Sequence, residues 1–174
     1  MKRKAVFFDR DGIVNFRIVG EYINQKDNFH FIPDFFQVFS RLKELGYLVI
    51  LVSNQKGVGK GLMTLEELKQ INEFMLQELY ERTGESFDDV FYCTDANEES
   101  SPRLKPNPGM IIEAIEKWNI EPSLSWIVGD SSKDILAGKR AGIKTILVGL
   151  ADESLNIEPD VSVNNLLEIL ELFE

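Results

Sequence analysis

The sequence predicts a three-layer α/β fold in which a parallel sheet lies between two layers of helices. Short apolar runs without polar–apolar alternation are typical of strands that are buried on both faces. Four such runs are present, at Lys4–Phe8, Tyr47–Val52, Leu124–Val128 and Lys144–Val148, and a weaker candidate covers Asp89–Tyr92. Helical patterns lie between these runs, and this alternation favours a parallel sheet with helices on both faces.

The helices are predicted from apolar residues at spacings of three and four and from residues that begin or end a helix. Asp34 is placed to cap a first helix, which Gly46 would end. Thr64 and Glu67 have the spacing of a capping box at the start of the next one. Three further helices are predicted: one opened by Asn107–Pro108, one from about Ser132 to Gly142, and one in the C-terminal segment VNNLLEILELFE.

Length and composition predict one domain, residues 1–174, with a hydrophobic core. The formal net charge of −10 disfavours non-specific binding of nucleic acid, which usually needs a basic surface. No apolar run approaches the roughly 18 residues of a membrane span, and the N-terminal run is too short for a signal peptide. The single cysteine, Cys93, fits a reducing compartment. We therefore expect a cytoplasmic protein, monomeric, with no nucleic-acid or membrane partner.

Polar residues follow several predicted strands, and two segments between elements, Asn15–Pro33 and Thr94–Pro106, are long for this fold. In open α/β sheets, ligands bind outside the carboxyl ends of the strands. Long loops in compact domains are commonly functional. The residues expected at this edge are Asp9 and Asp11, the segment SNQKGVGKG that begins at Ser53, Lys105 in RLKPNP, and Asp130 and Asp134 in GDSSKD.

Each of these features has an ordinary structural explanation when taken alone. An aspartate at a strand end often caps a helix, and the glycine-rich segment lacks the Gly-Lys-Ser/Thr ending of a P-loop. Lys105 alone would be a surface lysine, and Asp134 has the alternatives of pairing with Lys133 or Lys139. Their shared predicted position at one edge of the sheet is what favours a common site.

Phosphoryl transfer explains the combination. A carboxylate can attack a phosphoryl group and form an aspartyl-phosphate, and an adjacent acid can protonate the leaving oxygen. Hydroxyl, backbone and lysine donors stabilise the phosphoryl oxygens. The close pair of Asp9 and Asp11 also favours a cation such as Mg²⁺, because two like charges are poorly tolerated without one.

The motifs DRDG, SNQ, LKP and GDSSKD resemble, in this order, those of the haloacid-dehalogenase-like phosphohydrolases. Within that superfamily, DRDGIVN, GEYI, DNFHFIPD, VSNQKGVGKG and KPNPGM resemble the family of D-glycero-D-manno-heptose 1,7-bisphosphate phosphatases and histidinol phosphatases. The resemblance implies a Rossmann-like sheet without a large cap domain. It also implies Asp9 as nucleophile, Asp11 as general acid and base, and substrate contacts at Gly20–Tyr22.

The same resemblance implies the ligands of the metal and of the phosphoryl group. Asp9, Asp11 through its backbone carbonyl, and Asp130 would hold Mg²⁺. The residues that would bind the phosphoryl group are Ser53, Asn54 and Lys105, and Asp134 would have a supporting role, orienting Lys105 or a metal-bound water.

The chain departs from the resembled family at two places. The family's zinc loop carries Cys-x-His and then Cys-x-Cys, whereas this chain keeps Cys93, has Asp95 at the histidine position and lacks the later cysteines. Since a structural zinc site needs about four ligands, no structural zinc is expected. Leu104 also stands where the family commonly has an arginine that contacts the substrate.

The sequence thus predicts a Mg²⁺-dependent phosphomonoester hydrolase that forms an aspartyl-phosphate and acts on a small phosphorylated metabolite. A sugar phosphate such as heptose 1,7-bisphosphate is the first candidate and histidinol phosphate the second. A phospho-accepting signalling domain is an alternative of another class, but such a domain has no need of the leaving-group acid that Asp11 would supply.

Overall fold

A computed structural model describes residues 2–150 and 157–173, and six strands in this part of the chain form one parallel sheet. The strand order is β3–β2–β1–β4–β5–β6. The strands are β1 (Ala5–Phe8), β2 (Leu48–Asn54), β3 (Asp89–Cys93), β4 (Trp126–Gly129), β5 (Lys144–Val148) and β6 (Val161–Val163). The α/β prediction and the five predicted strands are confirmed, with strand ends shifted by at most two residues.

Five α-helices in the described ranges connect or flank the strands. They are α1 (Pro33–Glu44), α2 (Lys56–Gly59), α3 (Leu65–Thr83), α4 (Gly109–Trp118) and α5 (Ser132–Ala141). The capping box of Thr64 and Glu67 is confirmed at the start of α3. The predicted cap at Asp34 is wrong: Ile32 is the capping residue, because Pro33 fits the first helical position with its fixed φ and missing N–H. No helix within the described ranges has the length and hydrophobicity that a membrane crossing requires.

The C-terminal segment differs from the predicted amphipathic α-helix. Val161–Val163 forms the edge strand β6, and a 3-10 helix spans Leu166–Leu172. Leu166 and Ile169 are both buried, and residues three apart share one face of a 3-10 helix. The apolar spacing thus correctly predicts a buried face, but the predicted α-helix is wrong. Glu174, the last residue of the predicted helix, lies outside the described residues.

The core has two parts, one on each face of the sheet. Successive strand residues point to opposite faces, so Val6 and Phe8 join one cluster while Ala5 and Phe7 join the other. The first cluster includes side chains of α1, α3 and the C-terminal 3-10 helix, and the second includes side chains of α4 and α5. Because β1 is covered on both faces, its sequence is continuously apolar.

The strand order places a crevice at the centre of the sheet. β1 and β4 are neighbours, and the chain continues from β1 towards β2 on one side and from β4 towards β5 on the other. Such a reversal of strand order leaves an open crevice at the carboxyl ends of the two central strands. The residues that follow these strands at the crevice are Asp9 and Asp130.

Candidate active site

Three carboxyl groups meet above the central strands. Asp9, Asp130 and Asp134 each place one oxygen within 4.8 Å of the others. Two glycines permit this approach. A Cβ on Gly129 would lie 2.2 Å from the Cβ of Asp134, and one on Gly12 would lie 2.0 Å from Asp130 Oδ2. The backbone of the two strand-end loops is thus shaped to let acidic groups crowd together.

Lys105 is the buried cation of this cluster, with 2% of its surface exposed. Its Nζ donates hydrogen bonds to Asp9 Oδ1 (2.8 Å), Asp134 Oδ1 (2.6 Å) and the carbonyl of Val52 (2.8 Å). These contacts use all three N–H groups of the ammonium. Asn54 holds the lysine's backbone, donating from Nδ2 to the Lys105 carbonyl (2.8 Å) and accepting the Lys105 N–H at Oδ1 (2.9 Å).

Two carboxyl groups of the cluster, those of Asp9 and Asp130, have raised pKa values. Burial, assisted by the charge of Asp134, raises the pKa of Asp9 to about 7 although Lys105 opposes the shift. Burial also raises the pKa of Asp130 to about 6 against the opposing charge of Arg17. For Lys105, burial lowers the pKa, but the charges of Asp134 and Asp9 outweigh it and the net shift is upward. Negative charge exceeds what one lysine compensates, so the cluster favours a further cation.

Asp134 has both carboxylate oxygens occupied. Its Oδ1 accepts from Lys105, while its Oδ2 accepts from the backbone N–H (3.2 Å) and hydroxyl (2.8 Å) of Ser131. The contacts to Ser131 form a capping box that begins α5. The alternative pairing of Asp134 with Lys133 or Lys139 is wrong, because Lys105 takes that place.

Asp11 lies beside the cluster, and a separate set of hydrogen-bond donors surrounds its carboxylate. Its carboxylate accepts from Arg10 Nε (3.2 Å) and Nη2 (3.1 Å), Asn15 Nδ2 (2.9 Å) and Gln55 Nε2 (3.1 Å). Burial alone would raise the pKa of Asp11, but these donors, Arg10 foremost, hold it below its usual value. Gln55 Nε2 also donates to Ser53 Oγ at 2.7 Å, which links Ser53 to Asp11.

Arg17 spans two of the groups that the resemblance implies as metal ligands. Its Nη2 donates to the backbone carbonyl of Asp11 (3.3 Å) and to Asp130 Oδ1 (3.1 Å), with 51% of its side chain exposed. Arg17 is not among the residues predicted for the site. Its only signal was its position in the long loop after β1, because its partner Asp130 lies 113 residues away.

A cavity of about 430 Å³ opens over these groups, within the range of small-molecule sites. It is lined by Asp9, Asp11, Arg17, Tyr22, Asn54, Lys56, Lys105, Ser131, Ser132, Lys133 and Asp134. A neighbouring cavity of about 340 Å³ shares Asp11, Arg17, Tyr22 and Asn54 with it. Tyr22 belongs to the segment for which substrate contacts were predicted, whereas Lys56 and Lys133 were not identified as site residues.

Leu104 and Arg103 do not line this cavity, because both have contacts elsewhere. Leu104 is fully buried and belongs to the core on the α4 and α5 face of the sheet. Arg103 donates from Nε to Glu113 (2.8 Å) and from Nη1 to the carbonyl of Tyr92 (3.3 Å). The cations that line the cavity come from other positions in the chain.

A family model described as haloacid dehalogenase-like hydrolase matches residues 13–148. The chain belongs to this family. Two relatives, both named D-glycero-beta-D-manno-heptose-1,7-bisphosphate 7-phosphatase, share much of its length. The one from Pasteurella multocida is 39% identical over 84% of this chain and 82% of its own. The one from Haemophilus ducreyi is 34% identical over 98% of both chains.

A solved structure extends the similarity to the fold. The D,D-heptose 1,7-bisphosphate phosphatase from B. bronchiseptica, complexed with magnesium and phosphate, superposes with a TM-score of 0.87 at 25% identity. The superposition covers 98% of this chain and 97% of that protein. The predicted family, the predicted fold and the predicted phosphatase class are confirmed by these similarities.

Replacing Lys105 with methionine is expected to destabilise the metal-free protein by about 3–5 kcal/mol, because buried Asp9 and Asp134 would lose their common cation. Urea unfolding measures the change. Lys69→Met is the control, since Lys69 is exposed on α3 and its replacement should cost less than about 0.5 kcal/mol. Equal unfolding free energies for the two variants would contradict the central place given to Lys105.

Proposed function

We propose that this chain is a Mg²⁺-dependent phosphomonoester hydrolase whose substrate is a phosphorylated sugar, with D-glycero-D-manno-heptose 1,7-bisphosphate as the first candidate. One observation carries the proposal: the Asp9 carboxylate faces a cavity while Lys105 holds one of its oxygens. The names of the relatives support a sugar phosphate rather than histidinol phosphate.

Asp9 is the proposed nucleophile. Lys105 occupies Asp9 Oδ1, whereas Oδ2 accepts no hydrogen bond from the described residues and is the oxygen that would attack phosphorus. The new P–O bond forms an aspartyl-phosphate, and the bond from phosphorus to the sugar oxygen breaks. The departing oxygen takes a proton from Asp11. Water then attacks phosphorus, gives its proton to Asp11, and releases inorganic phosphate and free Asp9.

The donors around Asp11 suit its two roles at different stages. Arg10, Asn15 and Gln55 keep Asp11 charged in the free protein, which is the form that accepts a proton from water. A phosphate dianion beside Asp11 adds negative charge and raises the carboxyl pKa, which favours the protonated form needed for the leaving group. The substrate therefore helps to set the protonation state that its own cleavage requires.

The acidic cluster fits Mg²⁺ because it offers only oxygen ligands. Asp9, Asp130 and the backbone carbonyl of Asp11 would hold the ion, since both oxygens of Asp134 are already bonded to Lys105 and Ser131. When bound, Mg²⁺ supplies positive charge that offsets the carboxylates and the phosphoryl oxygens. Asp134 would then position Lys105.

Ser53, Asn54 and Lys105 are the proposed phosphoryl ligands, and Lys105 would exchange one of its three present hydrogen bonds for a phosphoryl oxygen. Ser53 Oγ accepts from Gln55, which leaves the hydroxyl hydrogen free to donate to a phosphoryl oxygen. Asn54 lines the cavity and also fixes the backbone of Lys105, so its contribution includes holding the lysine in place.

The function is tested with phosphate release from heptose 1,7-bisphosphate in the presence of Mg²⁺. Asp9→Asn should abolish release, because the amide is a poor nucleophile. Asp11→Asn should slow turnover by about 10²–10⁴-fold while leaving the Mg²⁺ affinity unchanged, since only the backbone of Asp11 is a proposed ligand.

Asp27→Asn serves as the control for both variants, because Asp27 is exposed on a 3-10 turn away from the cavity. Phosphate release by Asp9→Asn at the wild-type rate would rule out the assigned nucleophile. Loss of Mg²⁺ affinity in Asp11→Asn would show that its side chain binds the ion.

Arg17→Gln is expected to tighten Mg²⁺ binding by about two- to fivefold, measured by titration calorimetry without substrate. The wild-type guanidinium bonds to Asp130 and to the Asp11 carbonyl, so it competes with the ion for two ligands. Arg41→Gln, which removes an exposed pair with Glu44 on α1, is the matched control. Unchanged or weaker binding in Arg17→Gln would contradict the competition.

We also propose that the loop from Thr94 to Pro106 needs no zinc, since protein contacts hold it. Cys93 Sγ donates to Asp95 Oδ2 at 3.4 Å, and Asn107 Nδ2 donates to the carbonyls of Glu98 and Ser101, both at 2.8 Å. Metal analysis of the purified protein should find no stoichiometric zinc. One tightly held equivalent per chain would contradict the proposal.

A further inference from the structure

We propose that Lys56 and Lys133 bind a second anionic group of the substrate, and that the Glu98 carboxylate occupies their site until the substrate displaces it. This inference rests on the proposed function, because it takes Asp9 as the centre of hydrolysis. It adds the residues that would bind the second phosphate of such a substrate, the one away from the ester being cleaved.

The two lysines meet at one carboxylate oxygen. Glu98 Oε1 accepts hydrogen bonds from Lys56 Nζ, at 2.8 Å, and from Lys133 Nζ. Lys56 begins α2 after β2, and Lys133 lies in the first turn of α5 after β4. Both line the same cavity as Asp9 and Lys105. A group bound between them would therefore belong to a molecule that also reaches the nucleophile.

The charges of Lys56, Lys133 and Glu98 favour an incoming phosphate over the Glu98 carboxylate. Two ammonium groups and one carboxylate leave a net positive charge, and the hydrogen bonds from Lys133 and Lys56 lower the pKa of Glu98 so that it stays ionised. A phosphate dianion carries twice the charge of a carboxylate and has three terminal oxygens with which to bond both lysines. Exchange of the one anion for the other improves the local charge balance.

The contacts of Glu98 allow this exchange at low cost. The side chains of Lys56, Glu98 and Lys133 are 22%, 33% and 43% exposed, so water can solvate the displaced carboxylate. Ion pairs with this much exposure contribute little net stability. The Glu98 backbone is fixed separately, because its carbonyl accepts from Asn107 Nδ2. Rotation of one side chain is sufficient, and the loop keeps its path.

The other cations of the cavity already have partners in the catalytic centre. Lys105 is bonded to Asp9 and Arg17 to Asp130. The position before Lys105 holds the buried apolar side chain of Leu104, which cannot bind an anion. Among the residues that line this cavity, Lys56 and Lys133 are the cations whose carboxylate partner lies outside the acidic cluster. They are thus available to a distant phosphate.

The test compares kcat/KM for heptose 1,7-bisphosphate with kcat/KM for p-nitrophenyl phosphate, which has no second anionic group. In Lys56→Gln and in Lys133→Gln, the ratio of the two values should fall about tenfold, through a higher KM for the bisphosphate. Glu98→Gln should lower that KM about two- to fivefold, because the competing charge is gone. Lys69→Gln, with the same change of charge on α3, should leave the ratio unaltered.

The outcomes separate this inference from the proposed function. If the wild-type protein hydrolyses both esters and neither lysine variant changes the ratio, the lysine pair is not a substrate site and the proposed function stands. A higher KM in Glu98→Gln would likewise reject the exchange, since it would assign Glu98 a structural role. If the wild-type protein hydrolyses neither ester, or only p-nitrophenyl phosphate, the proposed substrate fails and the inference fails with it.

Discussion

The ammonium of Lys105, buried between Asp9 and Asp134, is the interaction on which the site depends. It joins Asp9, which follows β1, to Asp134 in the first turn of α5. Lys105 itself lies in the loop before α4. Burial of Asp9 and the nearby charge of Asp134 raise the pKa of Asp9 to about 7, although Lys105 opposes the shift. The site therefore carries more negative charge than Lys105 alone compensates.

The sheet supplies the rigidity that such a crowded cluster requires. β1 and β4 are covered on both faces, and each ends directly below an acidic residue of the cluster. Packed strands limit the movement of their ends, so repulsion among the carboxylates cannot be relieved by a shift of the backbone. Hydrogen-bond donors offset the repulsion instead. Lys105 and Ser131 donate to Asp134, and Arg10 donates to Asp11.

The loops around the cavity carry the features that distinguish this chain from the pattern it resembles. Where that pattern has zinc ligands, this chain has hydrogen bonds centred on Asn107 and Cys93. The same loop places the Glu98 carboxylate beside Lys56 and Lys133. A loop held by protein contacts thus also places a carboxylate beside two lysines that line the cavity.

The pattern of apolar and polar residues along the chain is sufficient to predict the sheet and the edge at which the acidic residues gather. Doubly buried strands leave continuous apolar runs, and residues that follow parallel strands lie at one edge of the sheet, so the position of Asp9 and Asp130 at that edge could be predicted. The pairing of charges, in contrast, becomes visible only in the folded chain. Arg17 with Asp130, and Glu98 with Lys133, join residues 113 and 35 positions apart. Such pairings depend on how loops cross in space, and because exposed charges gain similar energy from many partners, no local pattern in the chain specifies them.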